Sequence, residues 1–132
     1  MKRVALVSDY MTRDLIKLTP QTEINRAMNV LLDNRISGAP VLDTEGALVG
    51  ILTKRDCLKA AIEASYYRSW GGTVEDHMSS AVQTLDAGMD IFAATNAFLE
   101  SSFRRFPVMK DGRLVGQISR TDALRAMSDN WG

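Results

Sequence analysis

The feature that most constrains this chain is that it contains its own pattern twice. Asp9-Tyr10-Met11-Thr12 returns as Asp76-His77-Met78-Ser79, an offset of 67 residues. At that offset Leu18 falls on Leu85, Ile24 on Ile91, Ala27 on Ala94, Asn29 on Asn96, Leu32 on Leu99, Pro40 on Pro107 and Val41 on Val108. The offset then drops to 66, and Gly46, Leu48, Val49, Gly50, Asp56, Leu58 and Ala60 fall on Gly112, Leu114, Val115, Gly116, Asp122, Leu124 and Ala126. The lost residue lies in the turn Asp43 to Gly46, shortened to Lys110 to Gly112, where chain length is tolerated most easily. A fold that satisfies one half must therefore satisfy the other.

Each copy reads as β-α-β-β-α. Ile24, Ala27, Met28, Leu31 and Leu32 have the spacing of an amphipathic helix, repeated by Ile91, Ala94, Thr95, Phe98 and Leu99. Thr19-Pro20 offers a start signal for the first of these helices. The apolar runs Ala39 to Leu42 and Ala47 to Leu52, and their counterparts Phe106 to Met109 and Leu114 to Ile118, predict two hairpins. A second helix is expected to begin at Thr53 or Ser119, turning Leu58, Ala61 and Ile62, or Leu124 and Met127, toward the core. Leu15 to Leu18 and Ala81 to Leu85 could each form a short extra strand. The expected organisation is repeat 1 at 1–63, a connector at 64–73 and repeat 2 at 74–132, forming one integrated α/β (α+β) pair. A single repeat buries too little surface alone, so the two are expected to pack sheet to sheet about a pseudo-twofold axis. The connector aromatics Tyr66, Tyr67 and Trp70 are expected to cover a core edge, or else to meet a partner.

Composition then limits the function. Sixteen basic and sixteen acidic residues cancel, which argues against binding nucleic acid nonspecifically through a positive field. The absence of net repulsion also makes self-association easy to accommodate. The longest apolar stretch is far below the ~18 to 20 residues a bilayer requires, so no membrane span is expected. Lys2 and Arg3 precede an apolar run too short for a signal-peptide core. With its single cysteine, Cys57, the chain reads as cytoplasmic.

The least generic polar pattern is Gly50-Ile-Leu-Thr53-Lys-Arg-Asp56, recurring as Gly116-Gln-Ile-Ser119-Arg-Thr-Asp122. Two explanations suit its spacing. One is a capping box, in which hydroxyl and carboxylate satisfy the free N–H groups of a helix start. The other is a nucleoside phosphate: exposed N–H groups, a hydroxyl and basic neighbours suit a phosphate, while a carboxylate one turn along can accept two bonds from vicinal ribose hydroxyls.

The duplicated β-α-β-β-α unit, the paired Ala39-Pro40-Val41 and Phe106-Pro107-Val108, and both Gly-x-x-Thr/Ser-x-x-Asp segments resemble a tandem pair of cystathionine-β-synthase (CBS) domains, a Bateman module. The resemblance covers nearly the whole chain. It implies a regulatory sensor of adenine nucleotides (AMP, ADP or ATP) or of S-adenosylmethionine, with no catalytic residues and no required cofactor. It also implies a disc-like homodimer; with no effector domain expected on the chain, the reading is either action on a separate regulated protein or a stand-alone sensor. The alternative is a nucleotide-independent interaction or dimerisation module. Single-stranded nucleic acid is a distant third reading.

The family's clefts are composite. Carried over, Thr53 and Asp56 would face Met78, Ser80, Arg104, Arg105, Phe106 and Pro107. Ser119 and Asp122 would face Ser8, Met11, Arg13, Ser37, Gly38, Ala39 and Pro40. Arg104 and Arg105 stand where the other repeat has Ser37 and Gly38, so the Thr53/Asp56 cleft is expected to hold phosphorylated ligands more strongly; Lys54 and Arg55 add to its field. Arg13 and Arg120 are the candidate substitutes in the other cleft.

Other residues read as structural. His77 is the only histidine, and no cysteine or second histidine lies at metal-ligand spacing, so no metal site is expected. Cys57 replaces Ala123 of the other repeat and reads as a small buried hydrophobe, although a helix N-terminus can lower a thiol pKa. Met28, Met89, Met109 and Met127 lie in or beside apolar segments and read as core. No serine has a nucleophile-elbow sequence around it.

Overall fold

The computed structural model describes residues 4–69 and 71–131. Trp70, one of the connector aromatics, lies outside the described residues, as do Lys2 and Arg3. The elements run α1 (Val7–Tyr10), α2 (Ile24–Asp33), β1 (Gly38–Leu42), β2 (Leu48–Thr53), α3 (Lys54–Tyr67), α4 (Val74–His77), β3 (Leu85–Asp86), α5 (Ile91–Leu99), β4 (Arg105–Lys110), β5 (Arg113–Ser119) and α6 (Arg120–Asn130). This is the mixed α+β architecture the repeat implies.

The chain forms two compact units, and they are not the repeats cut end to end. One is continuous, residues 16–82; the other joins residues 1–15 to residues 83–132. Each therefore combines the main body of one repeat with the opening segment of the other.

In the continuous unit, β1 and β2 form an antiparallel hairpin in which Gly38 pairs with Thr53 and Val41 with Gly50. A core of Leu18, Ile24, Ala27, Leu31, Ala39, Val41, Leu52, Cys57 and Ala60 is completed by Val74 of α4. In the discontinuous unit, β4 and β5 pair in the same way, Arg105 with Ser119 and Val108 with Gly116, and β3 lies parallel on β4. Its core, built on Ile91, Phe98, Phe106, Val108 and Ile118, takes Ala5 and Val7 from the start of the chain. Each hairpin carries a register shift after its Pro-Val pair, at Val41/Leu42 and Val108/Met109, so even the irregularity is duplicated.

Each short opening helix is tied to its unit by equivalent backbone bonds. Val7 N–H donates to Met89 O at 2.9 Å and Ser8 N–H to Ala87 O at 3.0 Å, while Val74 N–H donates to Thr22 O at 2.8 Å and Glu75 N–H to Pro20 O at 3.0 Å. These bonds use donors that a helix start would otherwise leave unsatisfied.

Several expectations are corrected. Thr19-Pro20 does not start a helix: Thr19 forms a turn with Thr22, and α2 begins at Ile24 after Glu23. The extra strands shrink to β3 and to a single parallel bridge of Leu18 with Val41. Leu58, Ile62 and Leu124 do not face the core but stand 69%, 72% and 70% exposed. Cys57 and Ala60 on α3, and Ala123 and Ala126 on α6, are buried instead. Small side chains let α3 approach α2, and α6 approach α5, closely, and the large residues of the same periodicity are left outside. Ala61 and Met127 are half-buried, as are Met28, Met89 and Met109. Tyr66 and Tyr67 lie in the last turn of α3, edge to face and largely exposed, so they do not cover a core edge.

Candidate functional site

The site begins at the two strand-to-helix junctions. Thr53 is the N-cap of α3: its Oγ1 accepts from Asp56 N–H at 3.2 Å, while Asp56 Oδ2 accepts from Thr53 N–H at 2.9 Å and from Thr53 Oγ1 at 3.0 Å. At α6, Ser119 Oγ accepts from Asp122 N–H at 3.1 Å and Asp122 Oδ2 accepts from Ser119 N–H at 2.9 Å. The capping box is thus realised in both copies.

Both caps use only Oδ2. Among the described residues Asp56 Oδ1 has no hydrogen bond, whereas Asp122 Oδ1 lies 3.5 Å from the Arg125 guanidinium. The residue equivalent to Arg125 on α3 is Lys59, which forms no such pair among the described residues. At Asp56 capping and ligand binding are therefore compatible uses of one carboxylate, since the outer oxygen stays available.

The same spacing also occurs at two carboxylates, Asp9 and Asp76, that were not expected to bind a ligand. Asp76 Oδ2 accepts from Thr73 N–H at 2.9 Å at the start of α4, and Asp9 Oδ2 accepts from Leu6 N–H at 2.9 Å at the start of α1. The Thr-x-x-Asp pattern was legible at Thr73-Val-Glu-Asp76. A carboxylate at the third helical position is accordingly not specific to a ligand. What sets Asp56 and Asp122 apart is their place beside a hairpin that another segment crosses.

That crossing explains the glycine of each signature. Ser79 bridges Ile51, with N–H to O distances of 3.0 Å in both directions, and Thr12 bridges Gln117 at 2.8 and 2.9 Å. The preceding methionine lies on the strand glycine: a Cβ at Gly50 would stand 2.5 Å from Met78 Sδ and 2.9 Å from Ser79 O, and one at Gly116 would stand 2.7 Å from Met11 Sδ and 2.8 Å from Thr12 O. The opening motif Asp-x-Met and the glycine of Gly-x-x-Thr/Ser-x-x-Asp are two sides of one contact. In this way Met78 and Ser80 join the unit of Thr53 and Asp56, and Ser8, Met11 and Arg13 join that of Ser119 and Asp122. Arg13 is exposed, its guanidinium donating to Ser8 O at 3.3 Å.

The residues before each Pro-Val pair adjoin the cap of their own unit. Lys54 N–H donates to Ser37 O at 2.8 Å and Arg120 N–H to Arg104 O at 3.0 Å. Gly38, Ala39 and Pro40 are buried in the continuous unit; Phe106 and Pro107 are buried in the other, where Phe106 packs on Phe98 and Phe103. Arg104 and Arg105 thus belong to the compact unit of Ser119 and Asp122, and Ser37 to Pro40 to that of Thr53 and Asp56. Arg120 is already engaged, its Nε donating to Phe103 O at 3.0 Å.

Cys57 is buried beside this junction. Burial, and then the neighbouring Asp56 carboxylate, push its thiol pKa up, the reverse of what a helix start would do alone. It behaves as the small hydrophobe its counterpart Ala123 suggests. Among the described residues no cluster of three metal-ligating side chains occurs, and no helix is long and apolar enough to cross a membrane.

The family model described as "CBS domain" matches the chain twice, at residues 7–63 and 74–129. The chain belongs to the CBS-domain family. Among curated relatives, an uncharacterised protein of Methanocaldococcus jannaschii is 26% identical over 95% of this chain, which spans only 44% of that relative's length. Among solved structures, Arabidopsis thaliana CBSX2 in complex with AMP is 28% identical with a TM-score of 0.83, covering 97% of this chain and 99% of the other. The CBS domain pair of protein MJ0100, in complex with 5′-methylthioadenosine and S-adenosyl-L-methionine, is 25% identical with a TM-score of 0.80, covering 96% and 98%. This CBS pair is thus similar along nearly its whole length to pairs solved with adenosine compounds.

Proposed function

We propose that this CBS pair is a non-enzymatic regulatory module that binds an adenine nucleotide. Its clefts use Thr53 and Asp56 in one case, and Ser119 and Asp122 in the other, with residues before the Pro-Val pair of the opposite repeat completing each. The observation that carries the reading is the twinned cap set beside a crossed hairpin, whose carboxylate spends one oxygen on the helix and, at Asp56, keeps the other unengaged among the described residues. An ionised carboxylate in that position suits vicinal hydroxyls of a ribose. The AMP bound by CBSX2 supports the choice of ligand class. Arg104 and Arg105 supply the phosphate partners of the Thr53/Asp56 cleft, making it the stronger of the two for phosphorylated ligands. A cytoplasmic location suits the buried, unpaired Cys57.

Calorimetry with AMP and ATP tests this directly. Asp56→Ala should weaken binding by about 2 kcal/mol, roughly thirtyfold. Asp76→Ala removes a cap of the same geometry and should leave affinity unchanged. Arg105→Ala should weaken AMP more than adenosine. Unchanged affinity in both Asp56→Ala and Asp122→Ala would refute the ribose role.

Two further readings have their own support. The adenosyl ligands of the MJ0100 pair favour S-adenosylmethionine as the alternative, and including it in the titration separates the two. The exposed Leu58, Ile62 and Tyr66 on α3 and Leu124 on α6 favour association with a second copy or a separate protein through these helices. Sedimentation of Ile62→Glu should then show a lighter species than the unmodified chain; no change would remove α3 from the association surface.

A further inference from the structure

The segment that crosses each hairpin is held differently in the two units. In the discontinuous unit, Tyr10 immediately precedes the crossing segment Met11–Arg13, and its ring packs on the core. Its hydroxyl donates to Asp129 Oδ2 at 2.9 Å and accepts from Asn130 Nδ2 at 3.2 Å, both from the last turn of α6. Asn130 is itself anchored, donating to Ala126 O at 2.7 Å. The start of the crossing segment is thereby tied to the far end of the helix whose first turn carries Asp122.

The equivalent residues of the continuous unit are His77, Glu63 and Ala64. His77 has no hydrogen bond to α3 among the described residues; its Nε2 lies 3.2 Å from Gly71 O in the connector. Between His77, Glu63 and Ala64, a cavity of about 400 Å³ occupies the equivalent place.

We propose that Tyr10 is a positioning residue, a latch that holds Met11–Arg13 against β5 and so fixes the Ser119/Asp122 half-site, and that the Thr53/Asp56 half-site has no equivalent latch among the described residues. The chemistry follows from the residue types. Tyrosine is long enough to reach the carboxylate of the last helical turn while burying its ring, whereas histidine at the same place is shorter and turns to the connector. The consequence for ligand affinity rests on the nucleotide reading above; the latch itself does not.

Hydrogen exchange on the full chain tests the latch without any ligand. In Tyr10→Phe, which keeps the ring and removes the hydroxyl, the amides of Thr12 and Gln117 should exchange about fivefold faster, while the core amide of Ile118 and the equivalent crossing amides Ile51 and Ser79 keep their rates. Asp129→Asn retains an acceptor and should keep most of the protection. Unchanged exchange at Thr12 and Gln117, or equal acceleration at Ile118, would overturn the proposal, the latter by reducing Tyr10 to a general contribution to stability. In an Asp56→Ala background, Tyr10→Phe should further weaken AMP about threefold. Loosened exchange with no change in AMP affinity would overturn the positioning role toward ligand. Failure of the unmodified chain to bind any adenine compound would instead remove the nucleotide reading and leave the exchange result to decide the latch.

Discussion

Two helices of this molecule begin with the same cap and differ in what surrounds it. At α6 the outer oxygen of Asp122 faces Arg125, and the crossing segment is tied down by Tyr10; at α3 the outer oxygen of Asp56 has no partner among the described residues, and His77 turns to the connector. The comparison shows that a duplicated backbone can be preserved down to its bulges while side chains diverge in how they restrain each copy. The Asp122–Arg125 contact is long, and its guanidinium is largely exposed, so it contributes little energy. The difference lies in availability more than in stability.

The largest effect that can break this comparison comes from the crossing contacts, which are alike in both units. Gly50→Val and Gly116→Val should each destabilise by about 2–3 kcal/mol, because backbone as well as sulfur stands in the way. Denaturant unfolding checks this. Strongly unequal losses would show that one crossing yields and that the two units are less alike than their geometry indicates.

A smaller effect separates caps from clefts. Thr53→Ala and Ser119→Ala should each cost about 1 kcal/mol of stability. If the caps are energetically equivalent, the two losses should agree, and any difference in nucleotide affinity between these variants then reports on the clefts rather than on the helices.

The gentlest probe is pH. Burial and Asp56 hold Cys57 in its neutral form, so its folded-state pKa lies above the unfolded one. The stability contributed by the neutral thiol is present below the ordinary thiol range, about 8.5, and is lost as pH rises through the higher folded value. Iodoacetamide modification at pH 8 should consequently be slower than for a free thiol and keep accelerating beyond pH 9. A rate already at its plateau by pH 8 would contradict the burial. Tyr10 behaves alike: the hydrogen bond from its hydroxyl to Asp129 raises its pKa, so the latch should release only on the alkaline side of the ordinary tyrosine range.

Much of this architecture is legible in the residues. The offset of 67 then 66 locates both hairpins, both long caps and the turn that lost a residue. The buried face of α3 is not, because Cys57-Ala60 and Leu58-Ile62 share one helical period, and hydrophobicity alone favours the larger pair. Close helix packing favours the smaller one. The helices α1 and α4 are each four residues long, too short for periodicity to register, although Thr73-x-x-Asp76 marks the start of one. As for the candidate site, its carboxylates and hydroxyls can be read from spacing, while the pairing of Met78 with Gly50 and Met11 with Gly116 cannot. Those contacts join segments that no local pattern connects.

The lending of opening segments has a consequence for how such a molecule can be divided. A chain ending near residue 63 would leave the first hairpin without Val74 and Met78, and with Val7 on a helix lacking its receiving body. Two copies of that half could make good the deficit by each donating its leading arm to the other, as in a domain-swapped dimer. Severing the covalent link between the halves would thus turn an intramolecular loan into an exchange between molecules, and folding would become dependent on concentration.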